Sequence, residues 1–107
     1  MGYDVIIDTG LDNIANINYL RNQGYTYMYT ADKLHILNVK IDNESDLFNL
    51  CNDLLITLKH SRLYNSFKSF IVNLIIGKLF KDLKDEKEVN YDIDNYFLGI
   101  YQSEKEK

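Results

Sequence analysis

YTYMYTADKLHILNVKI, residues 25–41, is the stretch on which the fold turns. Tyr25, Tyr27 and Tyr29 alternate with Thr26, Met28 and Thr30, which is the period of a strand whose successive side chains take opposite faces. Ala31-Asp32-Lys33 reads as a turn, and residues 34–41 as a second strand-like run. Together they predict an antiparallel hairpin in the middle of the chain.

Upstream, residues 3–8 form a short apolar run rich in β-branched side chains that stops at Gly10, and they read as a buried strand. Leu11, Ile14, Ile17 and Leu20 follow at helical spacing, with Gly24 where a C-cap glycine belongs, so a helix is expected over 11–23. Downstream, Asn43 and Asp46 have the spacing of a capping pair, and Leu47, Leu50, Cys51, Leu54, Leu55 and Leu58 mark a second helix. The apolar phase slips at 59–62, which predicts a bend. Leu63, Phe67, Phe70, Ile71 and Leu74 then open a third helix, which Gly77 stops or weakens. Residues 78–88 read as a charged helical turn or two, 90–101 as a final strand or docking tail, and 102–107 as a charged, frayed end.

That order predicts an α+β domain over 1–101, ferredoxin-like βαββαβ or a close variant, with an extra or lengthened helix in the second half. The pattern is similar to that of the small-ligand-sensing ACT modules. The similarity implies a ligand-side turn at Asp8, Thr9 and Gly10. Such a fold is shared by many functions, so function has to be argued from residues.

Charge is arranged in blocks. Residues 54–81 contain no acid and carry Lys59, Arg62, Lys68, Lys78 and Lys81, with His60 beside them, whereas the whole chain is formally −4. This basic segment is a candidate partner-binding surface. Its plain alternative is a solvated helix face whose lysines cover apolar neighbours and pair with the acidic blocks on either side. A sequence pI near 5.0 argues against general affinity for nucleic acid. The single cysteine, Cys51, cannot close an internal disulfide, and a reducing cytoplasm is the expected setting. Met1-Gly2-Tyr3-Asp4 carries no signal-peptide pattern, and no apolar run reaches the length of a membrane span.

Val5-Ile6-Ile7-Asp8-Thr9-Gly10 resembles the active-site string of retroviral-type aspartic proteases, in which two chains each give one aspartate to a shared proton. Leu74-Ile75-Ile76-Gly77 resembles the late apolar-glycine element of the same family. The resemblance implies an enzyme with Asp8 as its acid. The sequence departs from it in its helical periods, in Leu11 where a small residue belongs, and in having no glycine between Gly24 and Gly77. The other reading of Asp8 is a strand end turning into a helix. His35, His60 and Cys51 are too scattered for metal spacing, so neither metal nor cofactor is expected.

Two apolar features bear on partners. If exposed, Tyr25, Tyr27 and Tyr29 would form an aromatic face of the kind that stacks RNA bases; if turned inward, they cover the helices. Phe70, Ile71, Leu74, Ile75 and Ile76 are apolar nearly all round a helix, which makes them a candidate subunit interface or a wholly interior helix. The expected role is that of a non-catalytic cytoplasmic interaction or regulatory subunit, a homodimer or the binder of a protein partner. An RNA-associated accessory protein is the alternative, and the protease-like enzyme a second.

Overall fold

One antiparallel sheet in the order β2-β3-β1-β5-β4 organises the chain. Its strands are β1 Gly2–Asp8, β2 Thr26–Thr30, β3 Lys33–Lys40, β4 Val89–Ile93 and β5 Tyr96–Gln102. The helices are α1 Asn18–Asn22, α2 Glu44–Thr57, α3 Tyr64–Asn73 and α4 Ile76–Lys84. The structure is a computed structural model, and it describes residues 2–8, 14, 16–30, 33–61, 63–73, 76–85, 88–93 and 96–103, the side chains at 72, 73 and 76 excepted. The α+β class expected from the sequence is the class observed. The sheet has five strands where four were expected, because residues 89–102 fold back as a hairpin, Val89 opposite Ile100 and Ile93 opposite Tyr96.

Alternation decides what each strand buries. Tyr3, Val5 and Ile7 of β1, Leu34, Ile36 and Val39 of β3, and Tyr96, Leu98 and Ile100 of β5 point to one face and are buried. Leu20 of α1, Leu47, Leu50, Cys51 and Leu54 of α2, Leu58 just after it, Phe67 of α3, and Leu79 and Leu83 of α4 complete the same cluster. Burying one such side chain contributes about 1.5–3 kcal/mol, so this single layer between sheet and helices carries most of the folding free energy. The Tyr3 hydroxyl reaches through it to donate to the Leu83 carbonyl at 3.3 Å.

Local chemistry sets the ends of the elements. Asn43 is extended and its Oδ1 accepts from the Asp46 amide at 2.9 Å, while Asp46 Oδ2 accepts from the Asp42 amide at 2.8 Å. The first bond satisfies a donor that the first turn of α2 would otherwise leave bare, and the second ties the residue before the cap back to that turn. Beyond Leu58, His60 takes φ +74, and the Ser61 hydroxyl accepts from the Leu63 amide at 3.0 Å, which makes the expected bend. Gly77 lies inside α4 near its start and does not stop it.

α1 is shorter than the spacing of its leucines and isoleucines predicts. Ile14 is buried without being helical, residues 16 and 17 are turns, and the helix starts without a capping side chain. Asn16 spends its side chain elsewhere, donating to the Ile56 carbonyl at 3.2 Å. Residues 9–13 and 15 lie outside the described residues. The far end of α1 follows expectation. Gly24, at φ +90, donates to the Arg21 carbonyl and Tyr25 donates to Leu20, both at 3.0 Å, which is a Schellman closure.

Between Tyr3 and Val5 the β1–β3 register slips, since Tyr3 faces Val39 but Val5 faces Ile36. The extra residue of β3 is accommodated at Asn38, φ +52, whose amide donates to Asp4 Oδ1 at 2.9 Å. The same oxygen accepts from the Ser103 hydroxyl at 2.9 Å, so one carboxylate ties the bulge to the far end of β5.

Two left-handed positions give opposite expectations. A Cβ at Gly24 would touch nothing, so Gly24→Ala costs only the backbone conformation, about 1 kcal/mol. His60 is exposed and already bears that strain, so His60→Gly should raise stability by about 0.5–1 kcal/mol. Urea midpoints at constant slope measure both. A loss at His60→Gly would mean that the imidazole makes a contact that outweighs the strain.

Candidate functional site

The side of the sheet opposite the core carries the alternate residues. From β2 to β4 one row reads Met28, His35, Ile6, Gly99, Asn90, and the next reads Thr30, Lys33, Asp8, Phe97, Asp92. Tyr101 stands opposite Asp4, and Leu37 opposite Thr26. Ile6, Leu37, Phe97 and Tyr101 are half-buried yet stand outside the core cluster, and Met28 is 52% exposed. The Tyr101 ring lies over Gly99, where a Cβ would collide with the ring and its hydroxyl oxygen, and that hydroxyl donates to Asn90 Oδ1. Any larger residue at 99 would lift the tyrosine off the sheet. The result is a face with an apolar middle, with Asp4, Asp8 and Asp92 around it and Lys33 and Lys40 of β3 on the same side.

Beside it, Asp8, Asp92, Tyr96 and Phe97 line a cleft of about 400 Å³. Asp8 is therefore the last residue of a central strand, flanked in register by Lys33 and Phe97. Thr9 and Gly10, the rest of the predicted ligand-side turn, lie outside the described residues. A second cleft, about 450 Å³, opens at the other end of β2 and β3, among Gly24, Tyr25, Asn38, Lys40, Asp46 and Asn49. Among the described residues, no three His, Cys, Asp or Glu side chains gather as a metal site.

The tyrosines of residues 25–29 face inward. Tyr25, Tyr27 and Tyr29 are half-buried against the core, while Thr26, Met28 and Thr30 face out. The exposed aromatic face considered from the sequence is thus replaced by its alternative, tyrosines covering the helices. Tyr25 makes the strongest polar contact in this region. Its hydroxyl donates to Asp53 Oδ2 at 2.6 Å, and Tyr19 donates to Asp53 Oδ1 at 3.1 Å. One carboxylate of α2 thereby holds both α1 and the start of β2. Burial first, and then the Asp53 charge, push ionisation of the Tyr25 phenol far above its ordinary value.

The basic segment is divided among several elements. Lys59 and His60 are exposed at the bend, and Arg62 lies outside the described residues. Lys68 of α3 sits 6.0 Å from the Tyr64 ring centroid. Lys78 pairs with Asp82 at 3.5 Å and Lys81 with Asp85 at 3.2 Å, each one helical turn along α4. Such exposed pairs contribute a few tenths of a kcal/mol, but they lower the charge available to a partner. In the candidate subunit interface, Phe70 meets Tyr91 edge-on at 4.9 Å and stacks near Phe67 at 6.0 Å, and Ile71 packs on the core. Leu74, Ile75 and the Ile76 side chain lie outside the description. Cys51 is buried, which pushes its thiol up to about 12 and leaves it a poor nucleophile at neutral pH.

Sequence reading missed the open face itself. A signal was present, since Asp4, Ile6 and Asp8 alternate with Tyr3, Val5 and Ile7, but residues 96–101, which carry no charged or amide side chain, hid the same period in β5. Comparison with protein families, curated proteins and solved structures finds no match to this chain.

The Asp53 clamp has a pH signature. An unfolded tyrosine ionises near 10, whereas Tyr25 in the folded chain does so only at higher pH. Its contribution is therefore complete below about pH 10 and falls away above it. Asp53→Asn should cost about 1 kcal/mol at neutral pH and reduce that alkaline loss without abolishing it, since burial of Tyr25 remains, and Asp53→Ala should cost more by leaving the half-buried Tyr25 hydroxyl without its acceptor. Urea titrations at pH 7 and at higher pH read both effects. An alkaline loss unchanged in Asp53→Asn would leave burial of the Tyr25 ring, rather than the Asp53 carboxylate, as its cause.

Proposed function

We propose that this chain is a non-catalytic, cytoplasmic interaction domain that receives a protein partner on the open face of its sheet. The observation that carries this reading is the set of Ile6, Leu37, Phe97 and Tyr101 outside the core, with Met28 exposed on the same face and aspartates among them. Apolar side chains left on a surface and rimmed by polar groups are the usual signature of a docking surface. The aspartates favour a partner segment that brings lysine or arginine together with its apolar residues.

The chemistry seen elsewhere supports binding rather than catalysis. Asp4 is committed to the bulge and the end of β5, and Cys51 is buried with a raised thiol. For localisation, the support is the buried free cysteine; among the described residues, no helix is long and apolar enough to cross a membrane. The ferredoxin-like reading is kept for β2-β3-β1-β5 alone, with β4 as an added edge strand and α3–α4 as the lengthened helical part. Its support is the antiparallel pairing of β1 with both β3 and β5.

The RNA-associated alternative has the basic segment behind it. Inward tyrosines, carboxylates on the open face and two lysines held in ion pairs weigh against it.

Two measurements separate the readings. A basic amphipathic peptide titrated into labelled protein should shift the amides of Ile6, Leu37, Phe97 and Tyr101, and Asp92→Lys should weaken it about tenfold. On a polyanion column the chain should pass unretained at about 0.1 M salt, because phosphate binding needs converging cations. Retention that falls steeply with salt, or shifts centred on residues 59–81, would replace the protein partner with nucleic acid.

A further inference from the structure

Among the described residues, strand β2 ends the sheet, pairing with β3 on one side and with no strand on the other. Alternate residues of such a strand turn their N–H and C=O groups outward, a template for another strand. Proteins commonly blunt an edge of this kind with lysine, proline or a bulge. Thr26-Tyr27-Met28-Tyr29-Thr30 has no charged residue and no proline, and its pairing with β3 runs unbroken from Thr26–Leu37 to Thr30–Lys33. The opposite edge is different. β4 carries the charge of Asp92, its Asn90 accepts the Tyr101 hydroxyl, and its Tyr91 ring is engaged by Phe70.

The five residues of β2 also read the same from either end. A palindrome is what antiparallel pairing about a two-fold axis requires, because residue i then faces residue j and j faces i. With the axis at Met28, Thr26 stands opposite Thr30 of the second copy and Tyr27 opposite Tyr29. Every cross-strand pair then joins like with like: tyrosines on the helix side, threonines and methionine on the open side. Aromatic pairs and threonine pairs are both favourable neighbours across antiparallel strands. Tyr27 and Tyr29 are only half-buried within one copy, so apolar ring surface remains for the partner strand to cover.

We propose that two copies of this chain join through β2, antiparallel about a two-fold axis at Met28, to form one continuous ten-stranded sheet. The partner is a second copy because the edge is uncharged and self-complementary. The proposal extends the reading of the chain as an interaction domain, since it sets two open faces side by side on one platform. Pairing over five residues gives an interface at the small end of the specific range, so assembly is concentration-dependent, with dissociation on the order of tens of micromolar.

Sedimentation velocity from about 5 to about 500 µM tests it against that estimate. The wild type should pass from monomer to dimer. Met28→Lys sets two ammonium groups against each other at the axis and should remain monomeric throughout. Its melting midpoint at low concentration should be unchanged, because Met28 is 52% exposed in the single copy. Register is read separately by oxidation. Cys51 is buried, so Met28→Cys should form a disulfide-linked dimer rapidly. Thr30→Cys should not, because its two copies lie about 13 Å apart along the strands.

Asp92→Lys, on the open face, should dimerise like wild type, so failure of the partner-docking reading and failure of this one are told apart. A wild type monomeric at every concentration overturns the proposal. So does a dimer that survives Met28→Lys or cross-links equally through Thr30→Cys, which would place the contact elsewhere, residues 70–76 included. Species larger than a dimer would also overturn it, since they require open-ended rather than two-fold pairing.

Discussion

Strand β1 is hydrogen-bonded along both of its edges, to β3 on one side and β5 on the other, and the rest of the structure is arranged around that fact. A strand paired on both sides has no backbone donor or acceptor left to satisfy, so its side chains alone decide what covers it. Tyr3, Val5 and Ile7 are apolar and demand a lid, which α2 and its neighbours supply. Asp4 and Asp8 stand on the other side, and a second helical layer would have to desolvate them. A sheet with one dry face and one open face follows from six consecutive residues.

The two chemical themes identified above lie on different sides of that divide. On the dry side, polar groups serve as fasteners. Asp53 holds two tyrosines, Asn16 holds the Ile56 carbonyl, and Tyr3 spans the core to Leu83. On the open side, Ile6, Leu37, Phe97 and Tyr101 have no such commitments to the helices. The contrast gives the functional reading its direction, because apolar surface that does not hold the helices to the sheet is available to a partner.

Legibility in the sequence tracked how cleanly each segment repeated. The central hairpin was readable because residues 25–30 alternate without interruption, and α2 because Asn43 and Asp46 announce its start and its leucines keep one phase. α1 was over-extended, since Ile14 and Ile17 satisfy helical spacing while being held by turns, and spacing cannot tell burial in a turn from burial in a helix. The final hairpin was read as one strand because no glycine marks its reversal and residues 96–101 carry no charged or amide side chain. The candidate surface was harder still. It is assembled from β1, β2, β3 and β5, and no single window of sequence contains more than two of its apolar side chains, Phe97 and Tyr101.

The tie from Asp4 to Ser103 joins positions 99 residues apart, and the register around it pairs Tyr3 with Gln102. This carries a consequence for the order of assembly. Of the five described strands, the middle one is synthesised first, and one of its two neighbours, β5, is synthesised last. Pairings this distant in sequence close slowly, since the intervening chain must be gathered before they form. Until residues 96–102 emerge, β1 holds an apolar strand with one edge bare, for several seconds at ordinary rates of synthesis. β1 is therefore exposed to wrong pairing until residues 96–102 emerge, and anything that shields it during that interval assists folding without touching the native state.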